Sequence, residues 1–257
     1  MHSFCDAAAD LTRTNPRKPE GSVYYAAHYH LGDLWVGASW LCEHARGHGS
    51  VSLCEETWET EHWGSANGDQ MIGDLVRRML ALLRGGGAVS VIPGHRETDL
   101  RIPGDGWDAA ICRTRTQWNP TGGSIAYQLA GSRYRARLKN LPDMARERIV
   151  ERIREMGYRG VEVGLPLTLE ESVEEIAKAD LFIGIDSGMT HVAYSVGAPV
   201  ALLKNKVPWS MLECHHQRYA CVFRGADALL RRLTRPFCGQ LVADAARRMA
   251  EEPACAG

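Results

Sequence analysis

A short stretch that contains hydrogen-bond donors for an anion follows the apolar run LFIGI (181–185) in this 257-residue chain: Asp186, Ser187, Gly188, Met189, Thr190 and His191. The apolar run predicts a buried strand, and the small residues after it predict that a helix begins at once. Free N–H groups at a helix N-terminus attract anions, and the serine, threonine and histidine side chains can donate further hydrogen bonds. The stretch therefore predicts a phosphate or diphosphate site. A structural serine cap followed by an interior histidine explains the same residues.

A second polar strand end lies near the start of the chain, where residues 30–33 (HLGD) follow a predicted strand at 23–29. A carboxylate beside a cleft can act as the general base for an attacking hydroxyl group. The Asp33 carboxylate can equally cap the helix that the pattern predicts from Leu34 to Ala45. The residue types leave both roles open.

A basic segment follows a third predicted strand end, at the turn Ala130-Gly131-Ser132. Residues 113–159 contain 11 Lys/Arg and 4 Asp/Glu, a local charge of +7 in a chain of formal net charge −1. Charges of both signs interleave along a predicted helix at 143–156 and are typical of a solvated face. The informative cations precede that helix: Arg133, Arg135, Arg137 and Lys139. They suit a leaving diphosphate, and they equally suit a solvent-exposed basic loop.

Predicted strands and helices alternate along the chain, which indicates an α/β fold with parallel sheets. The series restarts at about residue 124, after the turn-forming segment 119–123 (NPTGG), and so predicts two doubly wound, Rossmann-like domains facing a cleft, the first one compact. We expect a flexible leader (1–22), an N-terminal domain (23–123), a C-terminal domain (124–225) and a helix crossing back to the first domain (226–257). Thr168 and Glu171 predict a capping box for a helix at 169–179.

The cysteines predict buried thiols rather than disulfides or a metal site. All eight lack CxxC pairs and regular spacing, and with no apolar N-terminal signal segment in view a reducing cytoplasm is the expected location. No apolar run reaches the roughly 20 residues that span a membrane. Four residues in the C-terminal half of the chain are of the types that bind zinc: Cys214, His215, His216 and Cys221. They lack the paired spacing of structural zinc sites, so they do not predict one.

The stretch 179–202 resembles glycosyltransferase family 9, the heptosyltransferase-like enzymes. The family pattern is a strand, Asp-Ser/Thr-Gly, two residues, His, and later Gly-x-Pro; this chain has Asp186-Ser187-Gly188, His191 and Gly197-Ala198-Pro199. Gly32-Asp33 is similar to the family's acceptor-side Gly-Asp. Residues 130–142 are similar to its Gly-Ala-Ser turn and Lys-Arg-Trp-Pro segment, with Lys139 in place but no tryptophan.

The resemblance implies a two-domain GT-B fold, with a nucleotide-sugar donor in the C-terminal half and an acceptor in the N-terminal half. It implies metal-independent inversion at the anomeric carbon without a cofactor, Asp33 as the base, and His30 and Gly32 in the acceptor-side loop. The donor-binding residues that it implies are Ser132, Arg137, Lys139, Asp186, Ser187, Gly188, Met189, Thr190 and His191. The first half is shorter than in family members, so the family's acceptor is not carried over.

Other functions stay open on the sequence. The site can belong to a nucleotide-sugar-binding protein without transfer activity, or to a hydrolase in which water replaces the acceptor. The acceptor of a transferase can be a small molecule, a glycan or a nucleic acid, since Arg113, Arg115 and Trp118 add charge and an aromatic ring that suit the last of these.

Overall fold

The chain folds into two compact units, Met1–Arg115 and Thr116–Gly257. The computed structural model describes residues 23–25, 31–54, 71–92, 100–101, 112–131, 136–205 and 220–251. Each unit is built on a sheet whose paired strands are parallel. The predicted α/β class with parallel sheets is confirmed.

The described part of the first unit follows the order strand, helix, strand, helix and two strands. The bounds are β1 (Val23–Tyr25), α1 (Leu31–His48), β2 (Val51–Cys54), α2 (Met71–Leu82), β3 (Val89–Ile92) and β4 (Leu100–Arg101). The strand order β3-β2-β1-β4 is that of the first half of a Rossmann sheet, which reverses direction beside β1. Trp35 and Leu41 of α1 and Met79 of α2 are fully buried and supply the core of this unit.

The second unit has a five-stranded sheet in the order β6-β5-β7-β8-β9. Its elements are β5 (Ser124–Gln128), α3 (Ala136–Lys139), α4 (Asp143–Glu155), β6 (Arg159–Glu162), α5 (Leu169–Lys178), β7 (Leu181–Ile185), α6 (Gly188–Val196), β8 (Val200–Lys204), β9 (Ala220–Arg224), α7 (Ala226–Arg232) and α8 (Arg235–Glu251). This is a doubly wound order, and its direction of winding reverses between β5 and β7. Ligands of open α/β sheets bind outside the carboxyl ends of the strands at such a switch point.

Helices cover β7 on both faces, which explains why its five residues are all apolar or glycine. Leu181, Ile183 and Ile185 join a core cluster with residues of α4, α7 and α8. On the opposite face the backbone at Gly184 lies against α6, since a Cβ built there would be 2.6 Å from Thr190 Oγ1. Polar groups on this strand are therefore confined to its end.

The capping box is confirmed at the start of α5. The Glu171 N–H donates to Thr168 Oγ1 at 3.2 Å, and the Thr168 N–H donates to the Glu171 carboxylate at 2.8 Å. The Thr168 N–H and the Thr168 hydroxyl both donate to the Glu171 carboxylate, and these two bonds hold the pKa of Glu171 below its usual value. The helix therefore begins where its local sequence predicts.

The turn-forming segment 119–123 is part of the second unit, which corrects its expected role as the domain boundary. Just before it, the Trp118 N–H donates to the Val196 carbonyl at 3.0 Å, and the indole Nε1–H donates to the Ala179 carbonyl at 2.8 Å. The Trp118 side chain is buried. Because these contacts attach the segment to α5 and α6, the second unit begins at Thr116 instead of residue 124.

The C-terminal helices also pack on the second unit. Leu229 and Leu233, in and just after α7, and Cys238 of α8 are fully buried in the core cluster of the second sheet. The core cluster contains no described residue of α8 after Leu241, and the expectation that this region crosses back to the first domain stays a prediction. β9, which precedes these helices, was not predicted. None of the described helices has the length and apolar character to cross a membrane.

Gly184→Ala is expected to destabilise the second unit, because β7 has no space for an added Cβ. That atom would lie 2.3 Å from Phe182 Cε1 and 2.6 Å from Thr190 Oγ1, and both side chains are fully buried. Overpacking of this kind lowers the free energy of unfolding by about 1–3 kcal/mol, which urea denaturation measures. Gly239→Ala in α8 is the matched control, since its Cβ meets no atom within 4 Å. Equal stability of the two variants would contradict this packing.

Candidate functional site

The carboxyl ends of β5 and β7 lie side by side at the switch point of the second sheet. Gln128, the last residue of β5, pairs in register with Gly184. The turn after β5 lies close to the residues after β7, since a Cβ built on Gly131 would be 3.7 Å from Ser187 Cβ. Two of the predicted polar stretches therefore meet at one edge of the sheet.

Ser187 occupies the N-cap position of α6, but its side chain does not cap the helix. The residue is extended (φ −150°, ψ 170°), and its hydroxyl group donates a hydrogen bond to Oε1 of Gln128. Gln128 is itself buried. The alternative that Ser187 is a side-chain cap is therefore wrong, because its oxygen accepts no hydrogen bond from the helix and its hydroxyl group bonds to the neighbouring strand end.

The first turn of α6 has backbone N–H groups of the kind that the predicted anion site requires. The Thr190 N–H bonds to the Ser187 carbonyl at 3.1 Å. Gly188 and Met189 are the first two residues of this nine-residue helix, and N–H groups at these positions have no acceptor within an α-helix. The helix dipole adds partial positive charge at the same end. The turn can bind one anionic group through backbone N–H groups.

The side chains that follow are packed inside the second unit. Thr190 is fully buried, and its hydroxyl donates to the Ile185 carbonyl at 2.6 Å. The prediction that this hydroxyl donates to a ligand is wrong, because its hydrogen is used by a buried backbone acceptor. Met189 is 2% and His191 7% exposed, so Met189 is suited to contact a ligand through its backbone, and the predicted ligand contact of His191 stays a prediction.

Asp186 is half-buried and lies near the Tyr194 side chain of α6. Burial and the charge of Asp186 both raise the pKa of Tyr194. Lys204 ends β8 beside Asp186, since the preceding residues Ile185 and Leu203 pair in register. Lys204 is only 5% exposed, and a buried cation is costly unless negative charge compensates it. Sequence reasoning missed this lysine, although a cation that ends the apolar strand VALLK was a usable signal.

Asn140 attaches the basic segment to the same edge of the sheet. Its Oδ1 accepts a hydrogen bond from the Gly131 N–H at 2.8 Å, and its carbonyl accepts one from Asn205 Nδ2 at 2.8 Å. Lys139 directly precedes it at the end of α3 and is half-buried. Arg137 lies in the same short helix, and the predicted Ser132 lies outside the described residues. Nothing in the local sequence pointed to Asn140, whose partners are distant in the chain.

Gly32 and Asp33 lie in the first turn of α1, which begins at Leu31 rather than at the predicted Leu34. Asp33 is the third residue of the helix, so the alternative that it is the N-cap is wrong. An acid in the first turn is favoured by the helix dipole, which gives Asp33 a structural reason to be there. Its role as a base stays a prediction, and His30 lies outside the described residues.

The described ranges contain no group of three or more His, Cys, Asp or Glu side chains that could hold a metal ion. Cys42, Cys112 and Cys238 are free and buried, in line with the cysteine spacing. Burial raises the pKa of the Cys221 thiol on β9. The other members of the group with zinc-ligand residue types, residues 214–216, lie outside the described residues.

Residues 130–204 match the family model of glycosyltransferase family 9 (heptosyltransferase). This stretch of the chain is therefore similar to glycosyltransferase family 9. It runs from the turn after β5 to the end of β8, so it contains the residues that follow β5 and β7 but not Gln128, the end of β5 itself. The resemblance seen in the sequence is therefore confirmed for the residues that follow β5 and β7. A comparison with curated protein sequences gave no match.

Several solved structures of glycosyltransferases are similar to the chain. The iron-containing, dodecameric glycosyltransferase TibC from enterotoxigenic E. coli is 12% identical with a TM-score of 0.47, over 91% of this chain and 78% of TibC. The E. coli heptosyltransferase WaaC with ADP is 13% identical with a TM-score of 0.44, and the match covers 87% of this chain and 99% of WaaC. A family 9 glycosyl transferase from Veillonella parvula is 13% identical with a TM-score of 0.49, and the match covers 92% of this chain and 99% of the Veillonella protein.

Thr190→Val is expected to destabilise the protein, because it removes the hydroxyl that bonds to the buried Ile185 carbonyl. The loss should be about 1–3 kcal/mol of unfolding free energy in urea. Thr190→Ser is the matched control, since it keeps the donor and loses only a methyl group. If the valine variant were as stable as the wild type, the hydroxyl would have no structural role and its ligand role would be restored.

Proposed function

We propose that this protein is a glycosyltransferase that moves a sugar from a nucleotide-sugar donor to an acceptor hydroxyl group. The observation that carries the proposal is the match of residues 130–204 to glycosyltransferase family 9. The uncapped first turn of α6, at the switch point of the second sheet, lies inside that matched segment. A nucleotide sugar has a diphosphate group, which is the anion that such a turn suits.

The donor diphosphate binds to the N–H groups of Gly188 and Met189. The positive end of the α6 dipole stabilises the charge that develops on the leaving nucleoside diphosphate. Lys139, held near the turn by its neighbour Asn140, adds a cation that can contact a phosphate oxygen. Arg137, in the same short helix, is a second candidate cation, and Asp186 and His191 complete the donor site.

Transfer proceeds by direct displacement with inversion at the anomeric carbon. Asp33 accepts the proton of the acceptor hydroxyl, whose oxygen forms the new bond to the anomeric carbon. The bond from that carbon to the diphosphate oxygen breaks, and its electron pair leaves with the nucleoside diphosphate. Fixed N–H groups and the nearby cations stabilise this leaving group, so we propose that the reaction needs no metal ion.

A panel of nucleotide sugars tests the activity. ADP-, UDP-, GDP- and CDP-linked sugars, ADP-heptose included, are incubated with the full chain and glycan acceptors, and nucleoside diphosphate release and acceptor mass are measured. One donor should release its diphosphate with a matching mass gain on an acceptor, equally with EDTA and with added Fe²⁺ or Mg²⁺. Release with free sugar as product would indicate a hydrolase instead. Binding without release would indicate a binding protein, and no binding of any donor would contradict the proposal.

Asp33→Asn tests the assignment of the base. The amide cannot accept the proton, so the transfer rate should fall by roughly 10²–10⁴-fold, while the dissociation constant for the nucleoside diphosphate, measured by calorimetry, should stay the same. Asp74→Asn, on α2 of the same unit, is the matched control and should transfer at the wild-type rate. Normal turnover by Asp33→Asn would show that another group takes the proton.

A further inference from the structure

The Ser187 side chain has two possible orientations at the end of β7: one aims its oxygen at the N–H groups of α6, and the other aims its hydroxyl hydrogen at a different acceptor. A serine at the N-cap position usually accepts a hydrogen bond from the N–H group of the second or third helical residue. Here those N–H groups belong to Met189 and Thr190, and the Ser187 side chain bonds to neither. Its hydroxyl donates to Gln128 Oε1, across 59 residues of sequence.

The packing around Gln128 holds its side chain in this position. Gln128 ends β5 and is 7% exposed. Gly164, in the turn after β6, has φ 97° and lies directly against the Gln128 amide, so that a Cβ there would be 2.7 Å from Gln128 Nε2. The Gly164 N–H in turn donates to Oγ of the fully buried Ser172 at 3.1 Å. Any side chain at position 164 would collide with the Gln128 amide, so this glycine is needed for Gln128 to keep its position.

We propose that Gln128 is a positioning residue for the nucleoside diphosphate, an inference that rests on the proposed function. The bond to Gln128 does not use the lone pairs of the serine oxygen, so Gln128 acts by fixing the orientation of the Ser187 side chain, in which the oxygen makes no capping hydrogen bond to α6. The N–H group of Met189 is then available to the diphosphate instead of to a side chain of the protein. Gln128 acts through Ser187 and does not contact the ligand itself.

The two strand ends therefore have different parts in binding. β7 and α6 supply the N–H groups, and β5 supplies the acceptor that directs the competing hydroxyl away from them. When Gln128 cannot accept a hydrogen bond, Ser187 is free to adopt its usual capping geometry. An N-cap side chain stabilises a helix enough that its competition for the same N–H group should weaken anion binding roughly tenfold.

A double-mutant cycle between Gln128→Met and Ser187→Ala tests this inference. Binding of ADP, with UDP and GDP as further probes, is measured by calorimetry on the full chain. Gln128→Met should raise the dissociation constant roughly tenfold, because Ser187 then caps α6. Ser187→Ala should stay within about threefold of the wild type, and Gln128→Met should have no further effect in the Ser187→Ala background. Gln240→Met, at an exposed position of α8, is the matched control and should leave the affinity unchanged.

Each other outcome overturns the inference in a distinct way. If Ser187→Ala weakens binding as much as Gln128→Met does, the serine hydroxyl contacts the phosphate itself. If the effect of Gln128→Met persists in the Ser187→Ala background, it comes from general damage to the sheet, which this cycle separates from positioning. Should Gln128→Met fail to fold, the affinity of Ser187→Ala alone decides between the two uses of the hydroxyl. If the wild type binds none of the nucleotides, the proposed function fails together with this inference. If the wild type binds a nucleotide but the cycle shows no coupling between Gln128 and Ser187, only this inference fails and the proposed function stands.

Discussion

The burial of β7 on both faces is the constraint on which the second unit depends. α4, α7 and α8 pack on one face and α6 on the other, so the strand can hold no polar side chain until it ends. The polar residues are consequently concentrated at its carboxyl end, in the turn that starts α6. The same constraint requires glycine at position 184, where α6 comes closest to the strand. The concentration of polar residues at this edge follows from the way the core is packed.

The polar residues of the strand end are used mainly to shape the backbone. The hydroxyl of Thr190 bonds to the Ile185 carbonyl, and that of Ser187 bonds to Gln128. Hydroxyl groups that a sequence motif suggests as ligand contacts thus hold the turn, and N–H groups are left for the ligand. This explains how short side chains can define an anion site without touching the anion, since the fixed N–H groups carry the partial charge.

Local patterns predicted the parts of this fold whose causes are local. The capping box of Thr168 and Glu171 and the apolar run of β7 were predicted correctly because each depends on neighbouring residues. Gln128 was missed because its partner is 59 residues away and is brought near only by the parallel pairing of β5 with β7. The start of α1 was misplaced because Asp33 is favourable both at an N-cap and within a first turn. The packing of Leu229, Leu233 and Cys238 on the second sheet was not predicted, because an amphipathic helix does not reveal which sheet buries its apolar side.

The anchoring of Trp118 has a consequence for separating the two units. The Arg115 N–H bonds to the Leu82 carbonyl of the first unit at 2.7 Å, and the Trp118 N–H bonds to the Val196 carbonyl of the second at 3.0 Å. The covalent connection between these anchors is thus only Thr116 and Gln117. A dissection at residue 124, where glycine and proline suggest a linker, would remove a buried indole and leave the Ala179 carbonyl without its donor. A cut before Thr116 would keep Trp118 in the second unit, where its side chain is buried and its indole N–H bonds to the Ala179 carbonyl.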